Sequence, residues 1–220
     1  MYVVLAIGFS TPIVSSTIFF LGRRHMRPAS HRGLVFTLVY EGIGLLCLYC
    51  VLRYQKRGFG DIGFSVRLSL AEAGHTFALF FGALILGTVS FNVLYFAHSI
   101  TLGHGSPNKF NPAAVFGSGL SVFTILYVLL NPFYEELLVR AFLITEMTEL
   151  YQKANLAVFV SVALQTSYHL YQGIPGALSH IPAFWLFAAY YVRTRRILPV
   201  ILAHLLLDVQ ALSLYDGYLH

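Results

Sequence analysis

Two adjacent carboxylates and a cation, Glu135, Glu136 and Arg140, interrupt the apolar run Pro132-Phe133-Tyr134-Glu135-Glu136-Leu137-Leu138-Val139-Arg140. A carboxylate at hydrocarbon depth costs roughly 3 kcal/mol on insertion scales, so each one there needs a partner or a job. On an α-helix turning about 100° per residue, Arg140 lies almost above Glu136, whereas Glu135 points about 140° away from Arg140. The spacing therefore predicts a structural Glu136–Arg140 ion pair and leaves Glu135 without an intrahelical counter-charge. Candidate partners for it in the other apolar segments are His169, His180, His204 and Asp208. His204 and Asp208 are four apart and share one helix face, and His169 lies on a separate segment with Gln165 one turn before it. Glu135, His169, His204 and Asp208 are thus expected to converge from three helices on one polar cavity open to water. The chemistry such a set can do is peptide hydrolysis, which needs a water made nucleophilic and a donor aimed where the carbonyl oxygen becomes negative.

The same residues admit other readings. Polar side chains also hydrogen-bond across membrane helices, so the cluster could serve a non-catalytic scaffold or a bacteriocin-immunity-type protein by locking helices together. Intramembrane acids relay protons in transporters, but that class predicts paired halves with related broken helices, and the sequence shows none. Glu135, His169, His204 and Asp208 also form an oxygen and nitrogen set able to hold Zn²⁺ with a position left open for water. No His-Glu-x-x-His is present, so the spacing lends the metal no support.

The order EELLVR (Glu135 to Arg140), a helix ending in His169, and HLLLD (His204 to Asp208) resembles the CPBP family, the CAAX-protease and bacteriocin-processing intramembrane endopeptidases also called type II CAAX prenyl endopeptidases or Abi proteins. The resemblance covers about residues 113 to 213. It departs from the family at Val139-Arg140-Ala141, where Phe-Arg-Gly is common, and at Gln165, where an aromatic or small residue is common four before the histidine. The third motif ends in Asn or Asp, here Asp208. The resemblance implies an intramembrane endopeptidase in which Glu135 and His169 activate water and His204 donates to the oxyanion. A carboxylate beside an oxyanion repels it, so Asp208 is expected to orient His204. It further implies catalysis by glutamate with no metal, Zn²⁺ being the alternative, and a peptide or membrane-protein substrate of the CAAX-type prenylated class or another precursor.

The rest of the 220-residue chain must hold these groups in place, and its composition says how: 57% of residues are hydrophobic and 10% charged, against about 25% charged in a soluble domain. Apolar runs of about 20 residues are long enough to span a bilayer as helices. The expected fold is all-α, a polytopic transmembrane bundle of about seven to eight helices forming a single integral-membrane domain over residues 1–220, multi-pass in the cell membrane or an endomembrane. Spans are expected at 2–21, 34–53, 75–98, 113–130, 155–171, 177–192 and 197–214, with a break at Asn131-Pro132. The net charge of +5 gathers in short connections, as topology signals and lipid headgroup contacts do, and no aromatic-basic strip suggests nucleic acid.

Arg23, Arg24 and Arg27 follow the first apolar run, so it reads as a retained helix. Lys56, Arg57, Asp61 and Arg67 mark a polar connection, and 99–112, with His104, a loop. The cluster Arg193, Arg195 and Arg196, placed in the cytoplasm, puts the amino terminus outside. Glu41 lies inside the second span without a motif beside it, and helix packing or a helix-end position is its expected role. Cys47 and Cys50 share that span and read as packing residues.

Overall fold

The computed structural model describes residues 1–22, 29–66, 69–102, 112–117 and 119–217. Arg23, Arg24, Arg27 and Arg67, and most of the expected 99–112 loop with His104, lie outside the described residues. The elements are α1 (Tyr2–Leu21), α2 (His31–Tyr54), α3 (Leu70–Leu102), α4 (Ala113–Phe116), α5 (Val122–Glu135), a π-helical segment (Glu136–Phe142), α6 (Leu143–Tyr151), α7 (Ala154–Tyr168), α8 (Gly173–Ser179), α9 (Ile181–Thr194) and α10 (Leu198–Gly217), with no strand among the described residues. Five continuous helical stretches are long and apolar enough to cross a bilayer: Tyr2–Leu21, His31–Tyr54, Leu70–Thr101, Val122–Tyr151 and Leu198–Tyr215. The protein is a membrane protein built as an all-α helical bundle.

The expected 177–192 span divides at His180 between α8 and α9, and the expected 75–98 span runs longer, over Leu70–Leu102. Two further differences, around the 113–151 stretch, each have a local reason. The helix expected from Ala113 is only α4, because Gly117 leaves the helical region at φ +83°. The long helix starts afresh at Val122, where the Ser121 side chain accepts the amide of Thr124. Pro132 does not break that helix. Residues 122–151 run as one rod, and the disturbance appears just beyond the proline as the π-helical segment, where the amide of Leu143 reaches back to the carbonyl of Leu138. Widening the turn leaves carbonyls poorly placed within the rod, and neighbouring helices supply donors: Ser161 Oγ bonds the Val139 carbonyl at 2.9 Å and the Tyr191 hydroxyl bonds that of Ala141 at 3.0 Å.

This rod is the axis of the bundle. Leu138, Val139, Ala141 and Phe142 are fully buried, with α2, α7 and α10 packed around it. α3 packs on α8, α9 and α10 and turns Phe77, Phe81, Ile85 and Val89 outward, as a helix bathed in lipid tails would. One end of the bundle carries a rim of ion pairs. Arg57 reaches Glu146 at 2.6 Å and Glu149 at 3.1 Å, and Arg196 pairs with Glu72. Gly63 closes this end at φ +79°, accepting the amide of Ile197; a Cβ there would sit 2.2 Å from the Arg195 carbonyl oxygen. From this rim Glu135 lies eleven residues down the rod, about 16 Å at 1.5 Å per residue, which is about half of a 30 Å hydrocarbon core.

Candidate active site

Glu136 has no exposure at all, and its two oxygens face two cations-in-waiting. Oε2 stands 2.6 Å from Arg140 Nη1. The N–H is not aimed at that oxygen, so the contact is a close ion pair and not a hydrogen bond. Oε1 stands 2.8 Å from His204 Nδ1. Asp208, expected to orient His204, approaches its Nε2 only to 3.7 Å. The hydrogen bond that fixes the imidazole ring therefore comes from Glu136, and His204 Nε2 is left outside hydrogen-bond range of Asp208. Arg140 also lies 5.5 Å from the ring centroids of Phe184 and Phe187, which face its guanidinium with their electron-rich surfaces.

Glu135 is 8% exposed and is held by three neutral donors. Asn131 Nδ2 reaches Oε1 at 3.3 Å, and Gln165 Nε2 and the Tyr168 hydroxyl reach Oε2 at 3.0 and 2.8 Å. No cation pairs with it among the described residues. Gln165, a departure from the family pattern in the sequence, is the link between the two acids: its Oε1 accepts from Arg140 Nη2 while its Nε2 donates to Glu135. Asn131 extends the chain the other way, donating to Glu41 Oε1 at 3.0 Å. Glu41, Asn131, Glu135, Gln165, Arg140, Glu136, His204 and Asp208 thus form one continuous polar thread across α2, the rod, α7 and α10. Most of its polar groups are bonded or paired, which is what makes a thread at this depth tolerable, while Glu41 Oε2 and Arg140 Nε are buried without a hydrogen-bond partner among the described residues.

His169 stands beside the thread and not in it. It caps α7, directly after Tyr168, and its Nδ1 lies 3.3 Å from Gln172 Nε2. Gln172 Oε1 in turn accepts from His180 Nε2 at 2.7 Å, and the two imidazoles lie 5.3 Å apart. His169 Nε2 is buried without a partner among the described residues.

The four residues expected to share one cavity divide. A cavity of about 430 Å³ between α1, α2 and α5 is lined by Glu135, Glu41, Asn131, Tyr127, Tyr134 and Tyr168 together with mainly apolar side chains, and His169, His204 and Asp208 do not line it. Neighbouring residues on one helix point in different directions, so Glu135 looks out to α1 and α2 while Glu136 looks inward to His204. Among the described residues, no group of three or more His, Cys, Asp or Glu side chains is spaced to hold a metal ion. The nearest metal donors are spoken for, Glu135 by three neutral donors and His204 by Glu136, so the set fits Zn²⁺ poorly.

Sequence reasoning passed over Asn131, Gln165, Tyr168, Gln172 and the cavity role of Glu41. Asn131 carried a usable signal, being one helical turn before Glu135. The others depend on which helix faces which.

No curated protein and no solved structure matches the chain. The family comparison does find a match, to the Rce1-like family described as type II CAAX prenyl endopeptidase Rce1-like, over residues 112–210. That stretch contains the π-helical segment, His169, His180 and His204, and every residue of the polar thread except Glu41, and over it the chain is similar to the CAAX-protease family.

Proposed function

We propose that this protein is an intramembrane endopeptidase that hydrolyses peptide bonds of membrane-associated substrates, CAAX-type prenylated chains among them, with Glu135 as general base and no metal. The observation that carries the reading is the state of the acid pair. Glu136 is neutralised by Arg140 and bonded to His204, whereas Glu135, one residue away, has only neutral donors and opens on a cavity. Three such donors support a carboxylate at a depth where an unsupported charge would be expelled, and they leave a lone pair of Oε1 for a water.

In this reading Glu135 takes a proton from that water as its oxygen attacks the substrate carbonyl carbon. The new C–O bond turns the carbonyl oxygen into an oxyanion; in this reading the scissile carbonyl reaches past the cavity to the His204 side of the rod, where the ring, held at Nδ1 by Glu136 and carrying hydrogen on both nitrogens, donates from Nε2. The C–N bond then breaks, and Glu135 returns its proton to the leaving amine. His169, which does not line the cavity, is held at Nδ1 by Gln172 and keeps an unpartnered Nε2; for it to bind the same water the substrate complex must bring the two groups together. Asp208 Oδ1 stands 3.7 Å from His204 Nε2, at the ring nitrogen that Glu136 leaves free.

The test is purified protein in lipid nanodiscs with a farnesylated CAAX peptide, comparing the wild type with Glu135→Gln. The expected result is cleavage by the wild type, loss of at least about 10²-fold in the variant, and nearly equal melting temperatures. A variant that cleaves like the wild type removes Glu135 as the base. An inactive wild type whose variant melts much lower supports the helix-locking role instead.

A further inference from the structure

Glu41 lies on α2, outside the matched stretch, and it is 2% exposed. Its Oε1 takes a hydrogen of Asn131 Nδ2, the same nitrogen that serves Glu135, so one amide sets the spacing of the two carboxyl groups. Its Oε2 is buried without a partner among the described residues. Both acids line the same cavity. An orphaned carboxyl oxygen near the membrane midplane is costly unless something that enters the cavity satisfies it.

The approach of α2 to the rod is itself built. Gly44, one turn after Glu41, lies against Tyr134, and a Cβ at that position would come within 2.6 Å of the Tyr134 ring. Without a glycine there α2 would stand off, and Glu41 would lose Asn131. The α1 wall of the cavity contributes Phe9, Pro12 and Phe19 together with the hydroxyls of Thr11, Ser15 and Ser16, none of which bonds Glu41 Oε2. A peptide chain entering the cavity brings backbone N–H groups that must find acceptors once they leave water.

We propose that Glu41 is a substrate-binding residue of the same site, its Oε2 accepting a hydrogen bond from a backbone N–H of the peptide seated in the cavity, so that Asn131 fixes the distance from that N–H to the base Glu135. This rests on the protease reading above. It assigns the α2 wall to holding the peptide and the rod to the chemistry.

The experiment measures kcat and KM for wild type, Glu41→Gln and Glu41→Leu on a cleaved peptide and on copies carrying one N-methyl group at each position flanking the scissile bond. Loss of one hydrogen bond to a carboxyl oxygen corresponds to about 10-fold. Glu41→Leu should raise KM by about that factor with a smaller change in kcat, and Glu41→Gln, which keeps an acceptor, should fall between. One N-methyl position should weaken cleavage about 10-fold in the wild type and leave Glu41→Leu nearly unaffected. Equal penalties in both enzymes at every position, or a wild-type KM in Glu41→Leu, would overturn the assignment. A wild type that cleaves nothing, or a fully active Glu135→Gln, would instead remove the protease reading on which it rests. Should Glu41→Leu fail to fold, the N-methyl scan of wild type against Glu41→Gln decides: one position with a smaller penalty in the variant supports the proposal, and equal penalties in both at every position overturn it.

Discussion

Glu136→Gln separates the structural acid from the reacting one. Glu136 is fully buried, and its charge compensates Arg140, 1% exposed, at 2.6 Å. The glutamine keeps the volume and can still accept from His204, but it leaves the guanidinium with Gln165 and two aromatic rings as its only support. Removing one partner of a buried ion pair costs about 3–5 kcal/mol, because the other charge stays in place uncompensated. At roughly 2–4 °C per kcal/mol for a chain of this size, the melting temperature should fall by roughly 6–20 °C. The assay is thermal unfolding in detergent, with Glu135→Gln as the control that leaves the ion pair intact. Because apolar replacement of a whole buried pair is often neutral, Glu136→Leu with Arg140→Leu should recover much of the loss. A Glu136→Gln protein melting within about 2 °C of the wild type would refute the argument, since an uncompensated buried arginine should cost more than that.

Two further outcomes follow from the same geometry. Gln165→Leu cuts the link between Arg140 and Glu135, leaving Arg140 Nη2 without its acceptor and Glu135 Oε2 one donor short, so it should lower stability by about 1–3 kcal/mol and cleavage by about 10- to 100-fold, read by thermal unfolding and by kcat/KM on the same peptide. Exhaustive chelation should leave cleavage intact; loss of activity restored by added Zn²⁺ would show that a metal does the work assigned to Glu135.

The sequence carried the helical architecture because membrane helices declare themselves by length and hydropathy, which depend on no neighbour. The pairing of Glu136 with Arg140 was legible for a related reason, since an i, i+4 contact is local to one helix. What the sequence could not carry was the choice of partner between helices. Gln165 reads as a departure from a motif, yet in the fold it is the amide that joins both acids. Asp208 reads as the orienting group of His204 by its spacing, but the rod turns Glu136 toward Nδ1 at 2.8 Å and leaves Asp208 at 3.7 Å. Glu41 reads as a packing residue because its partner Asn131 lies ninety positions away.

The π-helical segment accounts for the largest of these differences. With regular α-helical turns Glu135 would point about 140° from Arg140, too far around the rod for one side chain to serve both. Bonding five residues apart brings residues five apart into register, and Glu135 and Arg140 are five apart. The wider turn thus swings the two groups toward the same neighbour, where Gln165 on α7 spans them with its two ends. Glu136 and Arg140 remain close under either winding, so the ion pair survives while the second link is added. The energetic cost of the wide turn is offset by Ser161 and Tyr191, whose hydroxyls bond the Val139 and Ala141 carbonyls. A helix that kept α-geometry through this stretch would hold Glu135 and Glu136 as two unrelated acids; the wide turn joins them through Gln165 and Arg140 while leaving them different partners.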